Sequence, residues 1–240
     1  MFRVDWPFIL KSSLLDQFPL IVHGFGTKHF QEKELGEFCR SQNLEPVFLS
    51  QAHSSHIHYL EEKPTVVLEG DALVTSKPGL LLLIKTADCL PVLIFDPANR
   101  IIACAHCGWR GTSSRLLEKL VDFLVTSFKT RPENLSVAFG PCISRDCYEV
   151  GLEVRDIFSQ SGFPRDEKLF SPHPLHPDRF FLDLRMANRN QLLAQGIRKE
   201  KIEEITICPH CHPDFLSFRR DAVTKARLFN FIGLLTTDGF

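Results

Sequence analysis

Aromatic side chains with a polar handle are scarce: two tyrosines and two tryptophans stand against 21 phenylalanines. A core packed on Phe brings no ring hydroxyl or indole N–H that needs a buried partner. An excess of one charge is also missing. The 28 basic and 29 acidic residues nearly cancel and form no block, which argues against a nucleic-acid or anionic-membrane surface. No apolar run approaches the ~20 residues of a membrane span. The opening segment Met1–Pro7 is broken by Asp5 and Pro7 before a signal-peptide core can form, so a cytoplasmic protein is expected. Eight cysteines in 240 residues are too few for a disulfide scaffold. They are expected as thiols, metal ligands or small packed side chains.

What is present centres on residues 79 to 112. Leu80 to Ile84, Pro91 to Phe95 and Ile101 to Ala105 are apolar runs of strand length. Reactive or polar residues gather where these runs end: Asp88, Cys89, His106 and Arg110. A core strand gains nothing from a thiol, an imidazole and a guanidinium collected at its ends, whereas a metal or catalytic site does.

The rest of the chain predicts many short strands with helices mostly in the second half. Leu20 to Gly26, Val47 to Ala52, Thr65 to Leu68, Asp71 to Thr75, Leu135 to Phe139, Phe180 to Leu184 and Ile202 to Cys208 read as strands. His56 and His58 share a face of a strand after the Ser54-Ser55 turn and read as a solvated face of an antiparallel pair. Helices are expected at 31–41, from Thr112 or Ser113 to Phe128, to about Phe158, and at 185–195, where Gly196 ends the helix left-handed. The proline-rich stretch 159–178 reads as a surface loop, and Ser217 to Arg220 as an exposed strand end. Strands and helices do not alternate strictly, so a mixed sheet or two packed sheets flanked by helices is expected, an α+β fold.

The chemistry follows from strand pairing. A short link at Asp96 to Arg100 makes the flanking strands antiparallel, which puts Cys89 and His106 at one sheet edge. His53, at the end of its own apolar run, joins them if that run ends at the same edge. Two imidazoles and a thiolate suit zinc, and three protein ligands leave a fourth position for water, the pattern of a catalytic ion. A Cys–His hydrolase, with Cys89 as nucleophile and His106 or His53 as base, needs the same proximity. A rival metal site pairs Cys104-x-x-Cys107 with Cys208-x-x-Cys211, of which the second half is the better. Gly108 to Thr112, between a strand end and a helix start, reads as an anion site with Arg110 as the grip. Arg219 could add a second basic contact.

The chain also resembles a known family. Gln51-Ala-His53, Asp71-Ala-Leu-Val-Thr75, Ala87-Asp88-Cys89-Leu-Pro-Val-Leu, Ala105-His106-Cys-Gly-Trp-Arg-Gly111, Gly140-Pro141-Cys-Ile, Tyr148-Glu-Val-Gly151, Phe181-Leu-Asp183-Leu and Phe218-Arg219-Arg220 occur in the order found in the laccase-domain proteins. Those were first called multicopper polyphenol oxidoreductases, later purine nucleoside phosphorylases, and some are called peptidoglycan editing factors. The resemblance implies a single-domain α/β/β/α sandwich over residues 1–240. It implies zinc on His53, Cys89 and His106, with copper as the alternative ion. It implies phosphorolysis of adenosine, inosine and methylthioadenosine, with adenosine deamination alongside. Arg110, Gly111 and Arg219 are then expected to contact a purine nucleoside and phosphate, and Asp88 is the candidate general acid. An amide hydrolase acting on a peptidoglycan precursor and a copper phenol oxidase are the alternatives. A monomer or weak homodimer is expected. The chain departs from the family's pattern in its shortened N-terminal part, at Ser54 after His53, and at Cys107 after His106.

Overall fold

The computed structural model describes residues 8–222 and 225–236. The segment Met1–Pro7, read above as too broken for a signal-peptide core, lies outside them. Among the described residues no helix is long and apolar enough to cross a membrane.

The strands Leu90–Asp96 and Ile101–Cys107 are buried along their whole length, and Leu80–Thr86 at all but one position. Side chains alternate across a strand, so an apolar run without alternation needs cover on both faces. Two packed sheets supply it. The five-stranded sheet runs Ile9–Leu10, Ile21–Gly26, Leu228–Leu234, Leu80–Thr86, Glu45–Val47. The six-stranded sheet runs Ile202–Glu204, Ser136–Phe139, Leu90–Asp96, Ile101–Cys107, Ala72–Thr75, Ile57–Leu60. Both mix parallel and antiparallel pairs.

Between the sheets lie Leu82, Ile84 and Ile232 from one and Leu73, Leu93, Phe95, Ile102 and Cys104 from the other. Helix Glu32–Gln42 covers the outer face of the first sheet, with Leu35 and Phe38 on Leu81, Leu83 and Phe231. Helices Leu116–Phe128 and Leu184–Ala194 cover the second sheet with Leu117, Leu120, Leu124, Ala187 and Leu192. The result is the expected α/β/β/α sandwich.

Several boundaries differ from the expectation. Val47 to Ala52 is not one strand: Glu45–Val47 joins the five-stranded sheet, and Leu49–Ser50 pairs Leu68–Glu69. Of Thr65 to Leu68 only Leu68 is in a strand, and Val66 and Val67 are exposed. β-branched side chains favour strands only where a partner strand covers them. The strand Ile57–Leu60 pairs Ala72–Thr75 in parallel rather than antiparallel fashion, and His58 meets the Glu69 carbonyl at 2.7 Å. The proline-rich 159–178 stretch is partly core: Phe163 and Leu169 are buried and Phe170–Pro172 pairs Arg179–Leu182. The strand after Lys201 ends at Glu204.

The helix expected from Thr112 to Phe128 is two, Trp109–Ser113 and Leu116–Phe128. Arg115 turns the chain between them at φ 61. Its guanidinium stacks on Phe163 at 3.8 Å and donates to the Ser161 carbonyl at 2.7 Å, a tertiary contact that outweighs helical continuity. Phe218–Asp221 is a short helix, not a strand end, with the Ser217 hydroxyl accepting from the Arg220 N–H.

Candidate functional site

The site sits at the rim where both sheets end. Leu80–Thr86 belongs to one sheet and Leu90–Asp96 to the other, so Ala87, Asp88 and Cys89 form a crossing between sheets rather than a hairpin turn. In the register of the six-stranded sheet His106 faces Pro91 and Cys107 faces Leu90. One step further puts Cys89 beside Gly108. A Cβ at 108 would lie 3.1 Å from Cys89 Sγ and 2.9 Å from His53 Cδ2. Only glycine lets the strand end pass that close to both side chains.

His53 reaches this point from a loop. Its backbone is left-handed, φ 57, and Asp71 holds it there. The buried Asp71 carboxylate accepts from the His53 N–H at 3.1 Å, the Ser54 N–H at 2.6 Å and the Ser54 hydroxyl at 2.8 Å. Further back, the Gln51 side chain pairs with Lys85 like one more rung of the ladder. Its amide donates to the Lys85 carbonyl at 2.8 Å and its oxygen accepts the Lys85 N–H at 2.7 Å.

The ligand atoms of His53, Cys89 and His106 lie within 4.8 Å of one another, and the two imidazole rings meet edge-on with centroids 4.8 Å apart. His106 Nδ1 donates to Asp71 Oδ1 at 2.8 Å, which leaves Nε2 as its free donor atom. Burial pushes the Cys89 thiol up, but the adjacent His106 and His53 imidazoles outweigh it and hold it well below the ordinary thiol range. Burial lowers His106, yet Cys89 and the Asp71 carboxylate together raise it. Asp71 itself is lowered: the donors His106 and Ser54 overcome its burial. The geometry therefore favours a thiolate, the form that binds metals and attacks electrophiles.

Two clefts open from this group. One of about 440 Å³ is lined by His53, Asp88, Cys89, Arg110, Tyr148 and Arg219. The other, about 360 Å³, runs past Gln51, His53, Lys85, Cys89, His106 and Arg227. Phe218 borders both. Arg110 stacks on Trp109, 4.3 Å from ring centroid to guanidinium carbon. Its helix has five residues, and Arg110 lines the first cleft. Gly111 is buried against the Ser54 carbonyl, where a Cβ would lie 3.1 Å away. It sets the helix's approach and does not line either cleft. Asp88, at φ 87, accepts the Arg219 N–H on Oδ2 at 2.7 Å, and its buried Oδ1 has no hydrogen-bond partner among the described residues. Arg219 donates to the Glu149 carbonyl at 3.0 Å.

The pairing of Cys104 and Cys107 with Cys208 and Cys211 does not form. Cys104 points into the space between the sheets and Cys107 into the helix-covered face, as alternation along one strand requires. Sequence reasoning missed Asp71 as a support for the site. The available signal was a carboxylate beginning a strand, Ala72–Thr75, whose four residues are all buried.

Residues 31–235 match the family described as multi-copper polyphenol oxidoreductase laccase. This chain belongs to that family. It is 37% identical over 163 residues to a Bacteroides thetaiotaomicron protein named purine nucleoside phosphorylase, covering 68% of this chain and 60% of that protein. It is 34% identical over 192 residues to adenosine deaminase RL5 from an unknown prokaryotic organism, covering 76% and 72%. The chain thus spans under two thirds of the Bacteroides relative's length. Among solved structures it is similar to the Bacillus licheniformis hypothetical protein YfiH, with a TM-score of 0.88, 26% identity, and coverage of 97% and 98%. YlmD from Geobacillus stearothermophilus superposes with a TM-score of 0.86 at 26% identity, covering 98% and 99%.

Proposed function

We propose that this chain is a zinc enzyme of purine nucleosides, cleaving them with phosphate and deaminating adenosine, in the cytoplasm. The observation that carries the reading is the His53, Cys89, His106 group opening onto two clefts, in a family with members named for both activities. The donor set fits zinc: two imidazoles and a thiolate, with a carboxylate fixing one imidazole from behind. When bound there, zinc supplies Lewis acidity at a substrate atom.

The chain's own residues do the rest. Arg110 and Arg219 line one cleft and present guanidinium forks suited to phosphate oxygens. Trp109, Tyr148 and Phe218 give the same cleft flat apolar faces that suit a purine ring. Phosphorolysis joins a phosphate oxygen to the ribose C1′ and releases the purine, whose nitrogen must take a proton. Asp88, which lines that cleft and whose buried Oδ1 has no partner among the described residues, is the residue assigned to hold it. The test is inosine with inorganic phosphate, assayed for hypoxanthine and ribose 1-phosphate. Product above a metal-stripped control is expected, and its absence sinks the reading.

A second reading has one observation behind it. The Cys89 thiol is held low by two imidazoles, as in a cysteine nucleophile, and amide hydrolysis on a peptidoglycan precursor is the matching reaction. Activity that survives chelation but is lost in Cys89→Ser selects it. Copper is the alternative ion, after the multi-copper description of the family. One group of two histidines and a cysteine supplies no multi-copper cluster, and metal analysis of protein purified without added metal distinguishes the two ions.

A further inference from the structure

A second group of soft donors lies outside that centre. Cys147 closes the turn Arg145–Cys147, and Cys208 and Cys211 bracket Pro209-His210. Cys147 Sγ and Cys211 Sγ are 3.3 Å apart, and His210 Nδ1 is 4.0 Å from Cys211 Sγ. The ligand atoms of Cys147, His210 and Cys211 all lie within 4.8 Å of one another. Cys208 interacts with the Cys211 thiol and accepts the Ser144 N–H at 3.2 Å.

We propose that Cys147, Cys208, His210 and Cys211 bind a second zinc ion in a four-ligand structural site. Three thiols and an imidazole match the closed donor sets of structural zinc, and Cys208-x-x-Cys211 has the spacing of such sites. The turn is already curled for it: the Cys211 and His212 N–H groups both donate to the Cys208 carbonyl, at 3.1 and 3.0 Å. A Cys147–Cys211 disulfide is the competing use of two of these thiols, but it leaves Cys208 and His210 with no common role.

The ion would tie two stretches that wall the cleft. Cys147 precedes Tyr148, which lines it. Arg220 pins the other stretch, donating to the Pro209 carbonyl at 2.7 Å and the Phe215 carbonyl at 2.8 Å. Its neighbour Arg219 lines the cleft. The proposal is independent of what the His53 centre binds or catalyses.

The test is zinc per chain by mass spectrometry, on full-length protein purified without added metal. Wild type is expected to carry one equivalent more than Cys147→Ser or Cys211→Ser. A His53→Ala, His106→Ala double variant is expected to keep that equivalent and, loaded with cobalt(II), to show thiolate charge-transfer absorption that Cys211→Ser removes. Thiol titration of the denatured, chelated, unreduced chain should find all eight cysteines free. Equal zinc in wild type and Cys211→Ser overturns the proposal. So does absence of the cobalt band from the double variant, or a titration two thiols short, which is the disulfide. The cobalt arm keeps the proposal falsifiable if the serine variants do not fold.

Discussion

Asp71 accepts four hydrogen bonds, from the His53 N–H, the Ser54 N–H, the Ser54 hydroxyl and His106 Nδ1. One buried carboxylate thereby positions two of the three side chains of the candidate metal group. Asp71→Asn keeps the shape but turns an NH2 group toward donors. It is expected to weaken metal binding about 10–100-fold, the usual effect of losing such a partner. Competition with a chromophoric chelator reads this, and an unchanged affinity would show that Asp71 only fills space. Gly108→Ala tests the other tight point. A methyl group 2.9 Å from His53 and 3.1 Å from Cys89 must displace one of them. Lower metal occupancy is expected at fixed chelator concentration, with a melting temperature close to that of wild type. The sequence marked the three donors and Gly108, but gave Asp71 no role beyond opening the family motif Asp71-Ala-Leu-Val-Thr75, because a carboxylate at a strand start is ordinary until the fold shows what faces it.

The elements around the site differ in how they are held. The loop carrying His53 has no strand of its own and hangs from the Gln51 side chain on Lys85. Gln51→Ala is expected to speed hydrogen exchange at the Lys85 amide without raising exchange in the core strands. Uniform acceleration would mean a global effect instead. The strand Ile21–Gly26 carries a different titrating group. His23 is buried, and its Nε2 accepts the Ser12 N–H at 2.9 Å, so the ring must be neutral. Burial lowers its pKa from 6.5 to about 4. Between those values the unfolded chain takes the proton and the folded chain does not. Stability therefore falls as pH drops from about 6.5 to about 4, by about 3 kcal/mol from this group. His23→Gln should flatten the urea-midpoint profile across that window, and a slope as steep as wild type would place the pH dependence elsewhere. Leu80–Thr86, Leu90–Asp96 and Ile101–Cys107 were legible as apolar runs, whereas Leu228–Leu234, buried along its whole length, was not read as a strand. Leu49–Ser50 and Leu68–Glu69 were not legible, since two-residue pairs exist only because distant chain segments meet.

Across the whole molecule, one apolar layer lies between the sheets and others lie between each sheet and its helices. Phe95 is fully buried between the sheets and meets Phe18 edge-on at 5.0 Å. Phe95→Ala is expected to cost about 3–5 kcal/mol, measured by denaturant unfolding. A loss under 1 kcal/mol would mean that the two sheets close over the gap. The layered class was readable because strands and helices did not alternate. The strand order was not, because Leu228–Leu234 enters the middle of the first sheet from the far end of the chain.

The amino-acid order alone determined that three central apolar runs are buried strands, that Cys89 and His106 stand where those runs end, and which family pattern the chain follows. These are local matters of apolar run length, residue type and spacing. Only the tertiary structure decided that residues 87–89 cross between sheets, that Asp71 stands behind His106, and that Cys147 rather than Cys104 or Cys107 meets Cys211. Each of those depends on which strands become neighbours and on what then lies within a few ångströms. Close packing of the entire chain sets that, and no short stretch of it carries the information.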